Sequence, residues 1–270
     1  MKINCSVPLL TLNSENTLER CLDSLKDFQD VFLLDGNSTD RTLEIAKNFG
    51  VPVFKQVDTD ESNVMIENFG AMRIKSASLA KCDWLLMLDS DEFLSDGLIE
   101  EIRNNLKKSP DEKKAFRISF WPIIDNRIVK YSFAQKVPYI RLYNKKGGIH
   151  WNKNKPVHEK LIVPEDIELM DMKECFYGYT PDFKKCIKKD NFYLSIARKK
   201  FLTGESAKGK RKVIFISVFK NLARAVKISF VSFFIYVRHG FSHSLPPKQV
   251  WRYIRYHIVI SYYRFRQLIV

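Results

Sequence analysis

Two carboxylates, one residue apart, follow directly on an apolar run in the first half of the chain. The run is Trp84-Leu85-Leu86-Met87-Leu88, and Asp89-Ser90-Asp91-Glu92 comes after it. A buried strand that ends in this way presents hard oxygen ligands at the rim of a sheet. Such ligands suit a Mg²⁺ or Mn²⁺ ion that also holds phosphate groups. The segment therefore indicates chemistry on a nucleotide diphosphate.

An isolated Asp-x-Asp is usually part of a solvated loop. The pattern of strands and helices around this one decides whether it has a function. Strands are predicted at 3–10, 31–34, 51–54 and 84–88. Helices are predicted after a cap at Asn13 or Ser14, over 43–49 with Gly50 as the stop, and over 63–80. This alternation predicts right-handed βαβ units, a mostly parallel sheet and an α/β fold with flanking helices.

The ends of two predicted strands carry acidic side chains. The apolar run Val31-Phe32-Leu33-Leu34 stops at Asp35, and the run ending at Leu88 stops at Asp89. Ligands collect at the carboxyl ends of parallel strands. We therefore expect Asp35 and Asp89 to lie at the same edge of the sheet.

The chain divides into two parts of different charge. Residues 184–270 hold 20 Lys and Arg against only Asp190 and Glu205, a net charge of +18, whereas residues 1–183 carry −4. Strand-like pieces at 115–120 and 139–143 indicate an acceptor-side subdomain on the same sheet. We predict a catalytic domain over 1–183 and a basic, aromatic-rich helical tail over 184–270 that seeks anionic lipid or nucleic acid.

The tail contains a segment, 213–237, that is long enough to cross a bilayer. Lys220, Arg224 and Lys227 interrupt it on one helix face, which favours an amphipathic helix lying in the membrane interface. Residues 250–270 repeat the pattern, with four arginines among Trp and Tyr. Packing on the catalytic body, or an oligomer interface, is the structural alternative. Nucleic-acid binding is less favoured, because no known motif is present and the aliphatic runs suit lipid.

The cysteines and the N-terminal residues indicate the cellular compartment of the protein. The five cysteines are odd in number and form no Cys-x-x-Cys pair, which indicates free thiols in a reducing compartment. The residues Met1-Lys2-Ile3-Asn4 run straight into a strand-like segment without a signal peptide pattern. We expect a cytoplasmic protein, peripheral on the inner face of the cell membrane.

Three segments resemble the leading motifs of the inverting family-2 glycosyltransferases, which have a GT-A fold. They are Ser6-Val7-Pro8-Leu9-Leu10-Thr11-Leu12-Asn13, then residues 34–42, then residues 84–92. Within that family the sequence is most similar to lipopolysaccharide-core and related glycolipid glycosyltransferases, which also carry a Val-His-Glu such as Val157-His158-Glu159. Ile74 stands where the family usually has Asn, and Cys82 where it has Gly. Asn37 replaces a turn glycine, although Asn tolerates a left-handed conformation.

The resemblance implies a nucleotide-sugar donor and assigns roles to several side chains. Asp35 would lie near the base or ribose, with Thr11 and Asn13 lining the nucleotide pocket. Asp89 would contact the ribose or a metal-bound water and is a candidate metal residue, and Asp91 would ligate the Mg²⁺ or Mn²⁺ that bridges the diphosphate. Arg73 could reach the diphosphate. The cation would offset the charge that develops on the departing nucleotide diphosphate.

The late motif offers a third metal ligand and a base. His158 either completes the metal shell or is an ordinary packed or surface histidine. Glu159 is a candidate for the base that takes the acceptor hydroxyl proton, unless it only pairs with a lysine, and Asp125 is its rival. The sequence does not decide which of the two carboxylates, Glu159 or Asp125, is the base.

The sequence thus predicts an inverting, metal-assisted glycosyltransferase that acts on a glycolipid or a cell-surface polysaccharide precursor. The alternative is a non-catalytic membrane- or nucleic-acid-binding protein that has kept the fold, because a fold by itself does not secure activity.

Overall fold

The computed structural model describes residues 1–108, 113–134, 138–152, 161–202 and 211–269. These residues form two compact units. The first comprises 1–121 and 136–179, and the second comprises 122–135 and 180–270. The second unit thus takes in 122–135 as well as the residues from 180 onward. The catalytic domain over 1–183 and the tail over 184–270 stay predictions.

A mixed sheet forms the centre of the first unit. The strands of the chain are β1 (Ile3–Thr11), β2 (Phe28–Asp35), β3 (Val53–Lys55), β4 (Trp84–Leu86), β5 (Glu92–Leu94), β6 (Lys114–Ile124), β7 (Arg127–Ile128), β8 (Tyr139–Asn144), β9 (His150–Trp151), β10 (Leu161–Ile162) and β11 (Glu168–Tyr179). The strand order is β3-β2-β1-β4-β8-β6-β11-β5. Strands β1 to β4 pair in parallel, as predicted. The predicted strands at 115–120 and 139–143 join the same sheet as antiparallel neighbours.

The described residues of the first unit form four α-helices: α1 (Leu18–Asp23), α2 (Thr42–Asn48), α3 (Phe69–Leu79) and α4 (Asp96–Lys108). The predicted start of the first helix at Asn13 or Ser14 was wrong, because Asn13 has a φ of 50° and α1 begins only at Leu18. The helix predicted over 63–80 is also shorter. It begins after Asn68, whose side chain accepts a hydrogen bond from the Ala71 N–H at 3.0 Å and so caps α3.

Strand β1 lies between β2 and β4 and is buried over most of its length. Val7 and Leu9 are completely buried in it, and a fully buried aliphatic side chain contributes about 1.5–3 kcal/mol. All five cysteines are buried free thiols, in agreement with the sequence-based prediction.

A buried polar network fixes the turn that leads into β4. The Ser6 hydroxyl donates to the Asp30 carboxylate at 2.5 Å, and the Lys81 N–H donates to the same oxygen at 2.9 Å. The Cys82 N–H in turn donates to the Ser6 hydroxyl at 2.9 Å. Because β4 leads directly to Asp89 and Asp91, this network sets the starting point of the acidic segment.

In the second unit, the part of the chain that the structure describes forms three long helices and a hairpin in which Ile123 pairs with Ile128. The helices are α5 (Phe183–Leu202), α6 (Arg211–His239) and α7 (Pro247–Ile269). The amphipathic helix predicted at 213–237 is confirmed as a helix by α6. No described helix has a stretch long and apolar enough to cross a membrane.

Candidate functional site

The ends of β1 and β2 are joined through a buried carboxylate. Thr11 and Asp35 are register partners in the two strands. The Thr11 hydroxyl donates to Asp35 Oδ1 at 2.8 Å, and the backbone N–H and hydroxyl of Ser38 donate to Asp35 at 2.7 and 2.6 Å. Asp35 is 3% exposed. Its carboxylate therefore fixes the turn after β2 and orients the Thr11 side chain.

The turn after β2 requires two special backbone positions. A Cβ on Gly36 would lie 2.4 Å from the Val64 carbonyl oxygen, so a side chain there would displace that backbone. Asn37 has a φ of 56°, which confirms the prediction that Asn takes the left-handed conformation at this point. Its amide group donates to the carbonyl oxygens of Thr59 and Glu61 at 2.9 and 2.7 Å. The turn thereby holds the 59–64 loop in place.

Asn13 joins three loops above the sheet. Its backbone N–H donates to the Ser38 hydroxyl at 2.9 Å, and its side-chain amide donates to Asn63 at 2.9 Å. The Thr39 N–H donates to the Asn13 side-chain oxygen at 3.0 Å. Asn13 is therefore held in a fixed orientation before any ligand arrives.

The acidic segment is tied to helix α3 by an ion pair. Arg73 Nη2 lies 2.5 Å from Asp89 Oδ1. Burial alone would raise the pKa of Asp89, but the positive charges of Arg73 and Arg141 more than offset it and hold the pKa below its usual value. Asp89 therefore stays ionised at neutral pH.

Glu92 anchors the same acidic segment through hydrogen bonds to Arg141 and to the Asp89 backbone. Arg141 donates to both Glu92 carboxylate oxygens, at 3.0 and 3.2 Å, and the Asp89 N–H donates to one of them at 2.9 Å. Burial raises the pKa of Glu92 above its usual value, and the charges of Asp89 and Asp91 add to this, although Arg141 opposes it. A bidentate Arg–carboxylate pair is rigid, so Glu92 fixes the backbone that carries Asp89.

Asp91 differs from its two acidic neighbours, because its side chain is exposed. Partial desolvation raises its pKa, and the negative charge of Asp89 raises it further. The Asp91 carbonyl accepts a hydrogen bond from the Tyr179 N–H at 3.1 Å, which holds its backbone in place. Its carboxylate faces solvent on a fixed backbone and is available to a ligand.

Two clefts meet at the Arg73–Asp89 pair. The larger, of about 680 Å³, is lined by Leu10, Thr11, Leu12, Asn13, Ser14, Thr17, Gln56, Met65, Ile66, Phe69, Arg73, Asp89, Ser90 and Asp91. The smaller, of about 450 Å³, is lined by Arg73, Met87, Asp89, Tyr139, Ile140, Arg141, Trp151, Leu161 and Val163. Both have the size of small-molecule sites, which run to several hundred Å³. We call them the donor-side cleft and the Trp151 cleft.

The structure brings most of the sequence-predicted residues to one place. The donor-side cleft is lined by Thr11, Asn13, Arg73, Asp89 and Asp91. Asp35 lies directly behind Thr11 and does not line the cleft. A direct contact between Asp35 and a nucleotide stays a prediction.

The other predicted site residues are the two base candidates, Asp125 and Glu159, and the third metal ligand, His158. Asp125 lies in the second unit, in the turn between β6 and β7, where its carboxylate pairs with Lys248 at 2.7 Å. His158 and Glu159 lie outside the described residues. The roles assigned to these three side chains stay predictions.

Arg141 was not found by sequence reasoning. It lies on β8, which pairs with β4, and it contacts both Glu92 and the Met87 carbonyl oxygen. An antiparallel neighbour 49 residues further on leaves no local signal in the sequence. Only the strand pairing places this guanidinium beside the acidic segment.

The described residues fit a divalent cation only in part. They contain no group of three or more His, Cys, Asp or Glu side chains that could hold a metal ion. Asp89 and Asp91 nevertheless supply two hard oxygen donors on one cleft wall. Mg²⁺ in proteins is commonly held by one or two carboxylates together with substrate phosphates and water. The donor set therefore fits a cation that arrives with a phosphorylated ligand.

Comparison with known proteins gives the class. Residues 6–151 match the model of glycosyl transferase family 2, and the chain belongs to that family. The family predicted from the three motifs is thereby confirmed. The mixed sheet with flanking helices fits the GT-A fold of that family.

Individual relatives support the same class. The chain is 29% identical over 195 residues to an "Uncharacterized glycosyltransferase" of Rickettsia bellii, which covers 68% of this chain and 63% of that protein. It is 31% identical over 100 residues to the poly(ribitol-phosphate) beta-glucosyltransferase of Bacillus spizizenii, covering 35% of this chain and 15% of that protein. The chain thus spans less than two thirds of the length of these relatives.

Among solved structures, the chain is similar to a part of S. aureus TarS in complex with UDP-GlcNAc. The sequence identity is 15%, the TM-score is 0.47, and the match covers 97% of this chain and 90% of that one. At this score no residue or ligand position is transferred.

Proposed function

We propose that this protein transfers a sugar, with inversion, from a nucleotide-sugar donor to a hydroxyl group of an acceptor. The observation that carries the proposal is the donor-side cleft, which joins polar groups at the end of β1 to the Arg73–Asp89 pair and the exposed Asp91 carboxylate. Family membership supports the same class of reaction.

The polar and apolar walls of this cleft suit the two ends of a nucleotide. Thr11 and Asn13 offer hydrogen-bonding groups, and Met65 and Phe69 offer apolar surface on which a base could pack. Asp35 orients the Thr11 hydroxyl, which fixes that wall before the donor binds. The nucleoside therefore lies at the β1 end of the cleft, and its diphosphate extends toward Asp89 and Asp91.

We propose that Asp91, with Asp89, holds a Mg²⁺ or Mn²⁺ ion. A bound cation would supply charge neutralisation of the leaving nucleotide diphosphate. Asp89 is already ionised, and Arg73 holds its carboxylate in a fixed orientation. Asp91 is accessible, so its carboxylate can bind the cation directly. Arg73, which lines the cleft, adds positive charge beside the diphosphate.

Inversion requires a base on the acceptor side that removes the proton from the attacking hydroxyl. Glu159 and Asp125 remain the candidates, with His158 as the proposed third metal ligand. The Trp151 cleft shares Arg73 and Asp89 with the donor-side cleft. It therefore offers a place for the transferred sugar or the acceptor next to the diphosphate.

We propose a glycolipid or cell-surface polysaccharide precursor, such as a lipopolysaccharide core, as the acceptor. The printed name of the Bacillus spizizenii relative, a poly(ribitol-phosphate) glucosyltransferase, supports an acceptor of the cell-surface polymer class. The net charge of +18 over 184–270 supports a location on the inner face of the cell membrane, where a basic segment meets anionic lipid.

Thermal unfolding of the full chain tests the donor site. We expect one of UDP, GDP or dTDP, together with Mn²⁺, to raise the midpoint by about 5 °C when present at a hundredfold excess over its Kd. Asp91→Asn should remove most of this rise, and so should EDTA. Asp23→Asn is the matched control, because Asp23 is an exposed carboxylate outside the cleft and pairs with Lys26.

The outcomes separate binding from catalysis. A rise that survives both Asp91→Asn and EDTA would contradict the proposed cation site. If no nucleotide shifts the midpoint at all, the donor site itself is refuted. Nucleotide release from a panel of donor sugars, measured with and without Glu159→Gln and Asp125→Asn, then identifies the sugar and ranks the two bases.

A further inference from the structure

The surface of helix α6 has three faces that run along the length of the helix. Its buried face carries Ile214, Val218, Asn221, Ala225, Ile228 and Ser232 and packs within the second unit. These residues recur at intervals of three and four, the helical repeat. This buried face is the part of α6 that contributes to the protein core. The exposed apolar residues of the helix lie outside that core.

A second face of α6 is apolar and exposed. Phe215, Phe219, Leu222, Val226, Phe230, Phe233 and Val237 recur at the same helical intervals, and each is between 41% and 69% exposed. At a rise of about 1.5 Å per residue, this exposed stripe is about 33 Å long. A continuous apolar stripe of this length on a protein surface marks an interaction site.

The third face of α6 is basic. Lys220, Arg224, Lys227 and Arg238 lie along it, and their side chains are exposed. Helices α6 and α7 contain no Asp or Glu. The exposed stripe is therefore flanked by a row of positive charges that has no acidic neighbour on either helix.

We propose that the exposed stripe and basic row of α6 form a surface that binds the interface of an anionic membrane, with the phenylalanines inserted among the lipid chains and the basic row at the headgroups. An apolar stripe beside a row of Lys and Arg is the pattern of helices that lie in the membrane interface. The proposal concerns the second unit alone and does not depend on the donor site.

Charge decides between this occupant and a second copy of the chain. Two copies that met along the exposed stripe would bring two basic rows together without any acid on α6 or α7 to offset them. An anionic lipid surface instead complements the row. Nucleic acid would be attracted by the same charges and could stack on the phenylalanines, but the aliphatic Leu222, Val226 and Val237 among them suit lipid chains and not bases.

The structure also distinguishes α6 from α7, which the sequence had grouped together. Arg252 is 9% exposed and lies 3.3 Å from Asp190, and Arg264 lies 3.7 Å from the centre of the Phe201 ring. These two arginines of α7 contact residues of α5. On α6, by contrast, Lys220, Arg224, Lys227 and Arg238 are exposed and accessible to lipid headgroups.

Flotation of the full chain with lipid vesicles tests the proposal. We expect binding to phosphatidylcholine vesicles that contain about 30% phosphatidylglycerol, and weaker binding to pure phosphatidylcholine. Part of the binding should persist at about 0.5 M NaCl, because the apolar contribution is not screened. Absence of flotation, or complete loss of binding at high salt, would overturn the proposal.

Two pairs of variants locate the surface. Phe219→Ser/Phe230→Ser/Phe233→Ser should weaken vesicle binding by more than about tenfold. Phe192→Ser on α5, where the side chain is 62% exposed, should leave binding unchanged. Lys220→Gln/Lys227→Gln should weaken binding about tenfold or more at low salt, and Lys184→Gln/Lys188→Gln on α5 should have a much smaller effect. Equal losses from test and control variants would contradict a surface on α6.

A conservative variant covers the case in which the triple variant does not fold. The indole introduced by Phe230→Trp should be quenched by brominated lipid in anionic vesicles. If it is not quenched while the protein binds, α6 does not insert. If light scattering instead shows a dimer that Phe230→Ser dissociates, the stripe is a self-interface. Competition of vesicle binding by RNA at high salt would likewise overturn the proposal in favour of nucleic acid.

Discussion

Arg73 Nη2 and Asp89 Oδ1 lie 2.5 Å apart, with the arginine side chain 6% exposed and the aspartate side chain 45% exposed. A buried cation on α3 therefore holds a carboxylate that faces two clefts. The pair fixes the orientation of Asp89 while its neighbour Asp91 stays accessible. Asp89 is thus held by the protein, whereas the carboxylate of Asp91 is left accessible.

This division predicts different outcomes for the two aspartates. Asp89→Asn removes the carboxylate charge that faces Arg73 and should lower the free energy of unfolding by about 1–2 kcal/mol, less than for a fully buried pair because Asp89 is partly exposed. Asp91→Asn should change stability by less than about 0.5 kcal/mol. Urea unfolding measures both. Equal costs would contradict the division.

The turn after β2 makes a second prediction. Gly36→Ala places a methyl group 2.4 Å from the Val64 carbonyl oxygen, so we expect a loss of more than about 2 kcal/mol and weaker nucleotide binding. Gly50→Ala is the matched control. Gly50 has a φ of 67° and open space around it, so only conformational strain of about 1 kcal/mol is expected. Nucleotide binding by Gly50→Ala should be unchanged, which calorimetry can check.

The buried network at Ser6 should contribute measurably to stability. Ser6→Ala removes a donor from Asp30 and an acceptor from the Cys82 N–H, both buried, and should cost about 1–3 kcal/mol. Ser78→Ala removes an exposed hydroxyl on α3 and should cost less than about 0.5 kcal/mol. Urea unfolding compares the two. A Ser6→Ala protein as stable as the control would show that water replaces the lost bonds.

His257 should make the second unit less stable in mild acid. Burial lowers the pKa of His257, and the nearby charge of Arg224 lowers it further. The unfolded chain therefore binds more protons than the folded chain once the pH falls to about 6.5, the ordinary histidine pKa, and stability decreases as the pH falls through that value.

The comparison of variants isolates this contribution. His257→Gln should flatten the dependence of the unfolding midpoint on pH between about pH 5 and 7. His150→Gln, which changes an exposed histidine of the first unit, should leave the slope unchanged. A slope that is the same in both variants would exclude His257 as its origin.

Much of the first unit was predictable because its elements are local. The run Val31–Leu34 is a continuous apolar segment, and such segments form covered parallel strands. The helix boundaries were less predictable. Asn13 looks like a cap in sequence, but it joins three loops through contacts with Ser38, Thr39 and Asn63, which lie 25 to 50 residues away.

Helix α6 also shows which features the sequence could predict and which it could not. Its period and its basic face can be read from spacing alone, since 3.6 residues per turn fixes which residues share a side. Which apolar residues face the protein and which face outward cannot be read in this way. Val218 and Val226 are chemically identical, but one is 8% and the other 54% exposed.

The sequence by itself predicted the family, the parallel strands and the placement of Asp35 and Asp89 at one edge of the sheet, because strand patterns are local and ligands collect at the carboxyl ends of parallel strands. Only the tertiary structure decided that Asp35 lies behind the cleft, that Arg141 clamps Glu92, and that the outer side of α6 is apolar. Each of these depends on which distant segment packs beside a residue, and pairing across tens of residues is set by the whole fold.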